Sequence, residues 1–582
     1  MTPLELLRSR FADALHGIVE DPSEYLDLIR VSQNPKFGDY QANLAMPLAK
    51  KLGKPPRETA SAILEKLEWS DILAPPEIAG PGFINLRFKP EVLARAVLEN
   101  LTDDRLGVAK VDQPKTFVLD YSAPNVAKPM HVGHIRSTMI GNSLDKILRF
   151  AGHHVISDNH IGDWGTQFGM IIYGWRHYLD KEAYEKNPVE ELARLYRLVR
   201  QKADADESIM RDVLMETSKL HHGDEENLAL WRSFLPNCQT EIDRVYRRLG
   251  VSFDHTLGES FYNDRLGPIV EDLKKRGLAR ISDGAVCLFL DGEEVPMLIQ
   301  KKDGAYLYAT TDLATLEYRR DTFKPDVILY VVDFRQSLHF QQLFKAAKLI
   351  GLEGTKLVHV KFGTVLGDDG KPFKTRSGET VGLESLLDEA QRRALEIVTA
   401  NDPDHRLSDE ERLETARTIG IGALVYADLS QNRESDYVFS FDKMLAMNGN
   451  TATYMQYAFA RIRSIFTKGG VDPEELRRVG AEKLQNGEVI LHADHPAERG
   501  LVLELLKFSD AVHGVLKDFR PNLLTAYLYD LAGKYSTFFE KCPVLKAESE
   551  EVKTSRLLLC DMTARTIQMG LSLLGIGTVE KM

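Results

Sequence analysis

The 582-residue chain holds only four cysteines, Cys238, Cys287, Cys542 and Cys560, and no two of them form a CxxC pair. That scatter offers neither a zinc framework nor a disulfide scaffold, and it points to a reducing compartment. No apolar run reaches the length that spans a bilayer. No secretory h-region is read at the N-terminus: residues 1–15 form an amphipathic helix with Leu4, Leu7, Phe11 and Leu15 on one face, and Glu5 and Asp13 argue against a transit peptide. Positive charge is also short. A net charge of −12 counts against a protein that coats nucleic acid non-specifically, but leaves room for a specific RNA partner on local basic surface. Arg461 with Arg463, Arg319 with Arg320, and Lys301 with Lys302 are the local candidates, each of which is most often a solvated face. Internal repeats and low-complexity segments are missing too. A chain of this length is too long for one core and divides into three or four domains.

The chemistry gathers in residues 115–167. Residues 117–120 (FVLD) are apolar until their acidic end and predict a buried strand. Pro124 and Pro129 keep 122–129 out of a helix. From 134 to 150, Ile135, Met139, Ile140, Leu144, Ile147 and Leu148 recur at helical spacing, and Gly152 follows as a stop. Residues 153–157 predict a second buried strand. This strand–loop–helix–strand unit is the first half of a doubly wound sheet, whose ligands bind at the carboxyl ends of its strands.

His131-Val132-Gly133-His134 stands at the turn into that helix. A helix N-terminus carries partial positive charge and free N–H groups, so it suits an anion. Two imidazoles add donors for phosphate oxygens, and Gly133 lets a flat base lie against the backbone. A nucleotide fits these features better than a metal, because no carboxylate or cysteine stands near at ligand spacing. A bare HxGH is as often structural as functional; the surrounding string decides.

The strings PNVAKPMHVGH (124–134) and DNHIGDWGTQFG (158–169) closely resemble arginyl-tRNA synthetases, which belong to the class I aminoacyl-tRNA synthetases. The resemblance extends over essentially the whole chain and matches HVGH to the family's ATP-binding HIGH motif. It implies a multidomain fold: an α+β N-terminal domain over 1–106 that touches the tRNA corner, and a Rossmann-like α/β catalytic domain over 107–383 with a helical insertion near 174–249. A helical stem over 384–450 and an all-α anticodon-binding domain over 451–582 would follow. The implied activity is that of an arginine–tRNA ligase. ATP activates L-arginine to arginyl-adenylate, and the arginyl group then passes to the 3′ end of tRNA(Arg). The family usually needs bound tRNA for the first step, and the same is expected here. ATP with Mg²⁺, arginine and tRNA are the expected partners; zinc and a membrane are not, and the expected state is a cytoplasmic monomer.

By the same resemblance the arginine site holds Asp120, Asn125, Tyr308, Asp312 and Gln336. A guanidinium calls for planar carboxylate recognition, which Asp120 and Asp312 could supply, with Asn125 and Gln336 on the substrate's amino and carboxylate ends. By residue type alone, Asp312 serves as well as a helix N-cap and Tyr308 as a half-buried strand residue. His131, His134 and Lys128 are the expected stabilisers of phosphoryl charge, with Gly133 against the nucleotide. The loop 367–378 (GDDGKPFKTRSG) takes the place of the family's KMSKS loop but departs from it. Pro372 and Thr375 stand where the family carries lysines, and Lys371, Lys374 and Arg376 remain nearby as ATP ligands. Lys128 is the expected replacement cation. Contacts to tRNA fall on Phe83 and Asn85 in the alternating run 81–88, on Tyr454 and Tyr457 in an amphipathic helix over 448–466, and on Met582. Core packing for Phe83 and turn capping for Asn85 are equal uses, and a tyrosine pair such as Tyr454 and Tyr457 more often packs in a core.

Elsewhere, residues 102–114 read as a linker. The sheet resumes near Phe253, with a hairpin over 285–290 and 294–300. Buried strands over 327–332 and 357–360 flank a helix over 338–350, which is a βαβ unit. After residue 383 the pattern is helical throughout. Two other classes stand beside the ligase reading. An inert RNA-binding relative is disfavoured by the intact HVGH, and a small-molecule nucleotidyltransferase would have no use for the long helical C-terminal region.

Overall fold

Four short strands open the fold: β1 (Ile29–Val31), β2 (Tyr40–Ala42), β3 (Glu77–Ala79) and β4 (Phe83–Leu86), antiparallel in the order β1-β2-β4-β3. The structure is a computed structural model and describes residues 2–126, 128–367, 369–373 and 381–582. Tyr40 opposite Leu86 and Ala42 opposite Ile84 are buried cross-strand pairs that close one face of this sheet. Residues 102–114 carry no regular element, as expected of a linker, but they are docked: Leu106 and Val108 are buried, and Arg565 Nη2 donates to the Asp103 carbonyl at 2.8 Å.

The central sheet follows, from β5 (Thr116–Asp120), α1 (Val132–Phe150) and β6 (His154–Asp158). Five helices, Thr166–Tyr178 through Glu225–Leu249, then leave the sheet, so the helical stretch begins ahead of residue 174. The predicted hairpin gains a third member and becomes an antiparallel sheet of β7 (Ala279–Ser282), β8 (Ala285–Leu288) and β9 (Met297–Gln300). The chain returns through α2 (Tyr308–Thr322), β10 (Val327–Tyr330), α3 (Ser337–Leu349) and β11 (Lys356–His359). The sheet order is β11-β10-β5-β6, all parallel. Val118, Leu119, Ile328 and Leu329 are fully buried because helices cover both faces. The chain leaves β5 for β6 on one side and comes back to β10 on the other. The carboxyl ends of β5 and β10 therefore flank the switch point, where such sheets bind ligands.

Beyond the sheet lie β12 (Val365–Leu366), α4 (Asp409–Leu429), β13 (Tyr437–Val438), and the bundle helices α5 (Ala452–Gly469), α6 (Asn522–Lys541) and α7 (Glu550–Leu573). β13 corrects the all-helical expectation after residue 383. It is two residues long and pairs in parallel with β12, so no sequence period betrays it. Arg499 clamps the bundle to the N-terminal sheet through Asp39, Nη2 to Oδ2 at 2.5 Å and Nε to Oδ1 at 3.1 Å.

The predicted apolar stripe of α1 is buried, and so is the rest of the helix. Arg136, Asn142 and Asp145 are buried along with Ile135, Leu144 and Leu148, because α4 and α7 cover the side turned from the sheet. A Cβ on Gly141 would stand 2.1 Å from the Tyr121 ring, so only glycine lets α1 lie this close to the segment leaving β5.

Candidate active site

β5 does not run straight into α1. Ser122 and Ala123 hold positive φ angles of 71° and 44°, a region costly for residues with a Cβ. Hydrogen bonds offset that cost. The Ser122 N–H donates to Ser137 Oγ at 2.8 Å, and Ser137 Oγ donates to the Val331 carbonyl at 2.6 Å. Ser122 Oγ meets Thr138 Oγ1 and the Tyr246 hydroxyl, both at 2.7 Å, and the Ala123 N–H donates to Asn159 Oδ1 at 3.1 Å. This bend sets the turn that ends in His131, the N-cap of α1.

The two histidines cap the helix and one another. His131 Nδ1 accepts from the Gly133 N–H at 3.1 Å, and His134 Nδ1 accepts from the His131 N–H at 3.0 Å. An Nδ1 that accepts carries no proton, so each neutral ring bears its proton on Nε2. Burial pushes both imidazoles below their ordinary value, with neighbouring Lys128 adding to the effect, and takes His134 down to about 3. Both rings are therefore neutral Nε2–H donors near pH 7. Their centroids are 4.0 Å apart, and they stand where the helix N-terminus already favours an anion. A Cβ on Gly133 would meet the His131 ring at 2.9 Å, so the glycine is part of the cap itself.

These groups face a cavity of about 460 Å³ at the β5–β10 switch point. Its lining brings together Asp120, Asn125, His131, Gly133, His134 and Gln336, with Phe362, Val365 and Phe373 on a wall supplied by the segment around β12. The remaining predicted site residues stand elsewhere. Lys128 does not line the cavity: its Nζ lies 5.9 Å from the ring centroid of Tyr196 in the helical insertion. The Lys371 side chain is exposed in a turn where its carbonyl accepts from the Gly367 N–H at 2.8 Å. Lys374, Thr375 and Arg376 lie outside the described residues.

Tyr308 and Asp312 share one face of α2, one turn apart. Leu307 occupies the N-cap, so the helix-cap use of Asp312 is corrected. Asp312 Oδ2 instead meets His339 Nε2 at 2.6 Å, and the His339 ring meets Tyr308 edge-on at 4.8 Å. Asp120 lines the cavity and is already paired. Arg319, two turns further along α2, places Nη2 2.8 Å from Asp120 Oδ2 and 2.7 Å from Asp158 Oδ2. Burial pushes the Asp120 carboxyl up, and Arg319 pulls it back. Arg319 is fully buried, so it cannot belong to a basic RNA-facing surface. Breaking such a triad typically costs about 3–5 kcal/mol.

On the N-terminal sheet, Phe83 lines a groove of about 570 Å³ with Arg30, Phe37 and Gln41. Asn85 does not reach it: it is buried, and its Oδ1 accepts from Gln41 Nε2 at 2.9 Å, which leaves Gln41 as the amide in the groove. In the bundle, the Tyr457 ring is exposed, while the Tyr454 hydroxyl meets Ser536 Oγ at 3.1 Å. Met582 packs partly buried against the core. Sequence reasoning missed His339, Ser137 and Arg136. For His339 a signal existed: it lies three residues beyond Gln336, one helical turn away.

Three family models match the chain: an arginyl tRNA synthetase N-terminal domain over residues 5–88, a class I tRNA synthetase (R) catalytic domain over 96–441, and a DALR anticodon binding domain over 455–582. An arginine–tRNA ligase of Rhodopirellula baltica is 46% identical, with 99% of each chain covered. One from Thermobifida fusca is 45% identical over 100% of each. Among solved structures, the arginyl-tRNA synthetase of Plasmodium falciparum matches with a TM-score of 0.81 at 28% identity, covering 100% of this chain and 99% of that one. The Thermus thermophilus enzyme matches with a TM-score of 0.81 at 25% identity, covering 100% of each.

Proposed function

The chain belongs to the arginyl-tRNA synthetases of class I, and from that premise we propose that it activates L-arginine with ATP and charges the 3′ end of tRNA(Arg). The observation that carries the chemistry is the switch-point cavity, in which two neutral Nε2–H donors at a helix N-terminus share a wall with Asn125 and Gln336. ATP lies with its phosphates toward His131 and His134 and its base against Gly133. The arginine carboxylate attacks the α-phosphate, pyrophosphate leaves, and charge builds on the pentavalent phosphorus between them. The two imidazoles meet that charge, and each well-aimed donor is worth roughly 3–4 kcal/mol. Asn125 and Gln336 hold the substrate's amino and carboxylate ends, and Asp312 with Tyr308 receives the guanidinium. Asp120, fixed by Arg319, completes the acidic side. A terminal ribose hydroxyl of the tRNA then attacks the arginyl carbonyl, and AMP leaves.

Mg²⁺ accompanies ATP in this reading. Among the described residues no group of three His, Cys, Asp or Glu side chains is arranged to hold a metal, so phosphate oxygens would hold the ion. Lys128, Lys371, Lys374 and Arg376 belong to the same proposal as phosphate cations. Phe83, Asn85, Tyr454, Tyr457 and Met582 belong to it as tRNA contacts, Asn85 acting through Gln41. So does the division at residues 106, 383 and 450. A monomeric state belongs to the same proposal. Four buried free cysteines, and no described helix long and apolar enough to cross a membrane, fit a cytosolic enzyme. ATP–pyrophosphate exchange with each amino acid, with and without tRNA, is the test. Exchange is expected with arginine alone among the amino acids, and only when tRNA is present; exchange with another amino acid, or none at all, would overturn the proposal.

A further inference from the structure

One buried charge pair has no part in the chemistry just described, although its arginine, Arg136, lines the same cavity. Arg136 lies on α1 one turn after Val132, and Asp428 lies at the end of α4, which leads away from the sheet. Arg136 Nε is 2.9 Å from Asp428 Oδ1, with both side chains essentially removed from solvent. The guanidinium sits against the Tyr437 ring at 5.2 Å and the Phe362 ring at 5.8 Å, and Nη1 donates to the Ser435 carbonyl at 3.0 Å. Burial pushes the Asp428 carboxyl up; Arg136 and the Tyr437 hydroxyl pull it back.

The pair is close but poorly directed. Among the described residues, Arg136 Nη2 has no hydrogen-bond partner, and Nε approaches Asp428 Oδ1 without aligned hydrogen-bond geometry. Burying two charges on such terms is costly, and an apolar pair of similar volume would hold the fold as well. What the pair does fix is a strand. Residues 433–439 run along 363–366: the Gly363 N–H donates to the Arg433 carbonyl at 2.9 Å, the Tyr437 N–H to Thr364 at 3.2 Å, and the Phe439 N–H to Leu366 at 2.9 Å. Phe373 then stacks on Phe439 at 4.8 Å. Val365 and Phe373 both line the cavity opposite His131.

We propose that Arg136 and Asp428 are positioning residues for adenylate formation: their pair fixes β13, and through it β12 and the turn to Phe373, against the phosphate-facing end of α1. The inference rests on the reading of that end as the ATP site. Displacement of a reacting group by about 1 Å from a remote change can cost about 10²-fold in rate.

The test is the double variant Arg136→Met/Asp428→Leu, which removes both charges together. Its melting temperature is expected to stay near the parent's. ATP–pyrophosphate exchange with tRNA present is expected to lose about 10²-fold in kcat, while the KM for arginine and the transfer of arginine from isolated arginyl-adenylate to tRNA change little. Exchange at the parent's kcat would overturn the inference. So would a parallel fall of kcat, arginine affinity, transfer and melting temperature, which marks a structural pair only. If the double variant does not fold, Arg136→Lys decides, since it keeps the charge but loses the guanidinium's contacts with Ser435 and the Tyr437 ring: a selective loss of exchange kcat supports the inference, and parent-like exchange overturns it. A parent that shows no arginine-dependent exchange would instead sink the ATP-site reading.

Discussion

His339 Nε2 lies 2.6 Å from Asp312 Oδ2, and the same ring meets Tyr308 edge-on. The contact joins α3 to α2 and fixes one oxygen of the carboxylate, leaving the other for a substrate donor. Asp312→Asn keeps the shape and removes the charge. Taking one partner from a desolvated charge pair typically costs about 2–5 kcal/mol. The KM for arginine is therefore expected to rise at least tenfold, with the KM for ATP nearly unchanged. An unchanged arginine KM in steady-state exchange would show that Asp312 serves only the α2–α3 contact.

Arg319→Leu leaves Asp120 and Asp158 buried without their cation. The cost expected is about 3–5 kcal/mol in urea unfolding at pH 7.5. Arg320→Leu, the adjacent change, removes a partly exposed pair with Asp321 and should cost no more than about 1 kcal/mol. Equal losses for the two would contradict the triad.

The neutral His134 makes stability fall on the acid side. Its folded value, about 3, lies below the ordinary 6.5. The contribution is therefore full above pH 6.5 and is lost progressively as pH falls toward 3, on the order of 2 kcal/mol between pH 6.5 and 5. His134→Gln should flatten that part of the pH–stability curve. Parallel curves for parent and variant, followed by thermal melts, would refute the assignment.

Glu259 acts with the opposite sign. Burial raises its carboxyl to about 7 from an ordinary 4.5, with His160 opposing and Asp163 and Asp312 adding to the rise. Its contribution is full below pH 4.5 and is lost as pH rises through about 7. Glu259→Gln imitates the protonated form. It should stabilise the protein at pH 8 by about 3 kcal/mol and leave it nearly unchanged at pH 4.5. A destabilised variant at pH 8 would count against this.

Apolar periodicity made β5, α1, β6, β10 and β11 legible, and residues close in sequence to those elements came with them: His131, Gly133 and His134. Gln336, just past β10, was placed by the resemblance and proved to line the same cavity. What stayed hidden depended on partners far away in sequence. Arg319 stood in an Arg-Arg doublet, which reads as surface until sheet pairing brings Asp120 and Asp158 beneath it. Nothing in the local sequence announces that α4 covers Arg136. β13 is too short for any period, and its partner is β12, 72 residues earlier in the register Val365 with Tyr437.

Lys128 is the remaining question for the phosphate site. The 367–378 loop carries Pro372 and Thr375 where the family has lysines, yet the reaction still builds negative charge on the α-phosphate and on departing pyrophosphate. Lys128 lies three residues before His131, and its charge is felt at both imidazoles. Burial and nearby Arg200 hold its ammonium below the ordinary value, beside the Tyr196 ring at 5.9 Å. A long flexible side chain can leave that ring for an anion at the helix N-terminus, since an exposed cation–π contact is worth only about 0.5–1 kcal/mol and a phosphate attracts far more strongly in a dry site. Lys128→Ala is expected to slow single-turnover adenylation by roughly 10² or more, with arginine binding and folding nearly unchanged. Lys371→Ala, in the exposed turn, should do less. Should Lys128→Ala stay within a few-fold of the parent while Lys371→Ala or Lys374→Ala abolishes adenylation, the phosphate cation belongs to the later loop and Lys128 is a surface lysine resting on Tyr196.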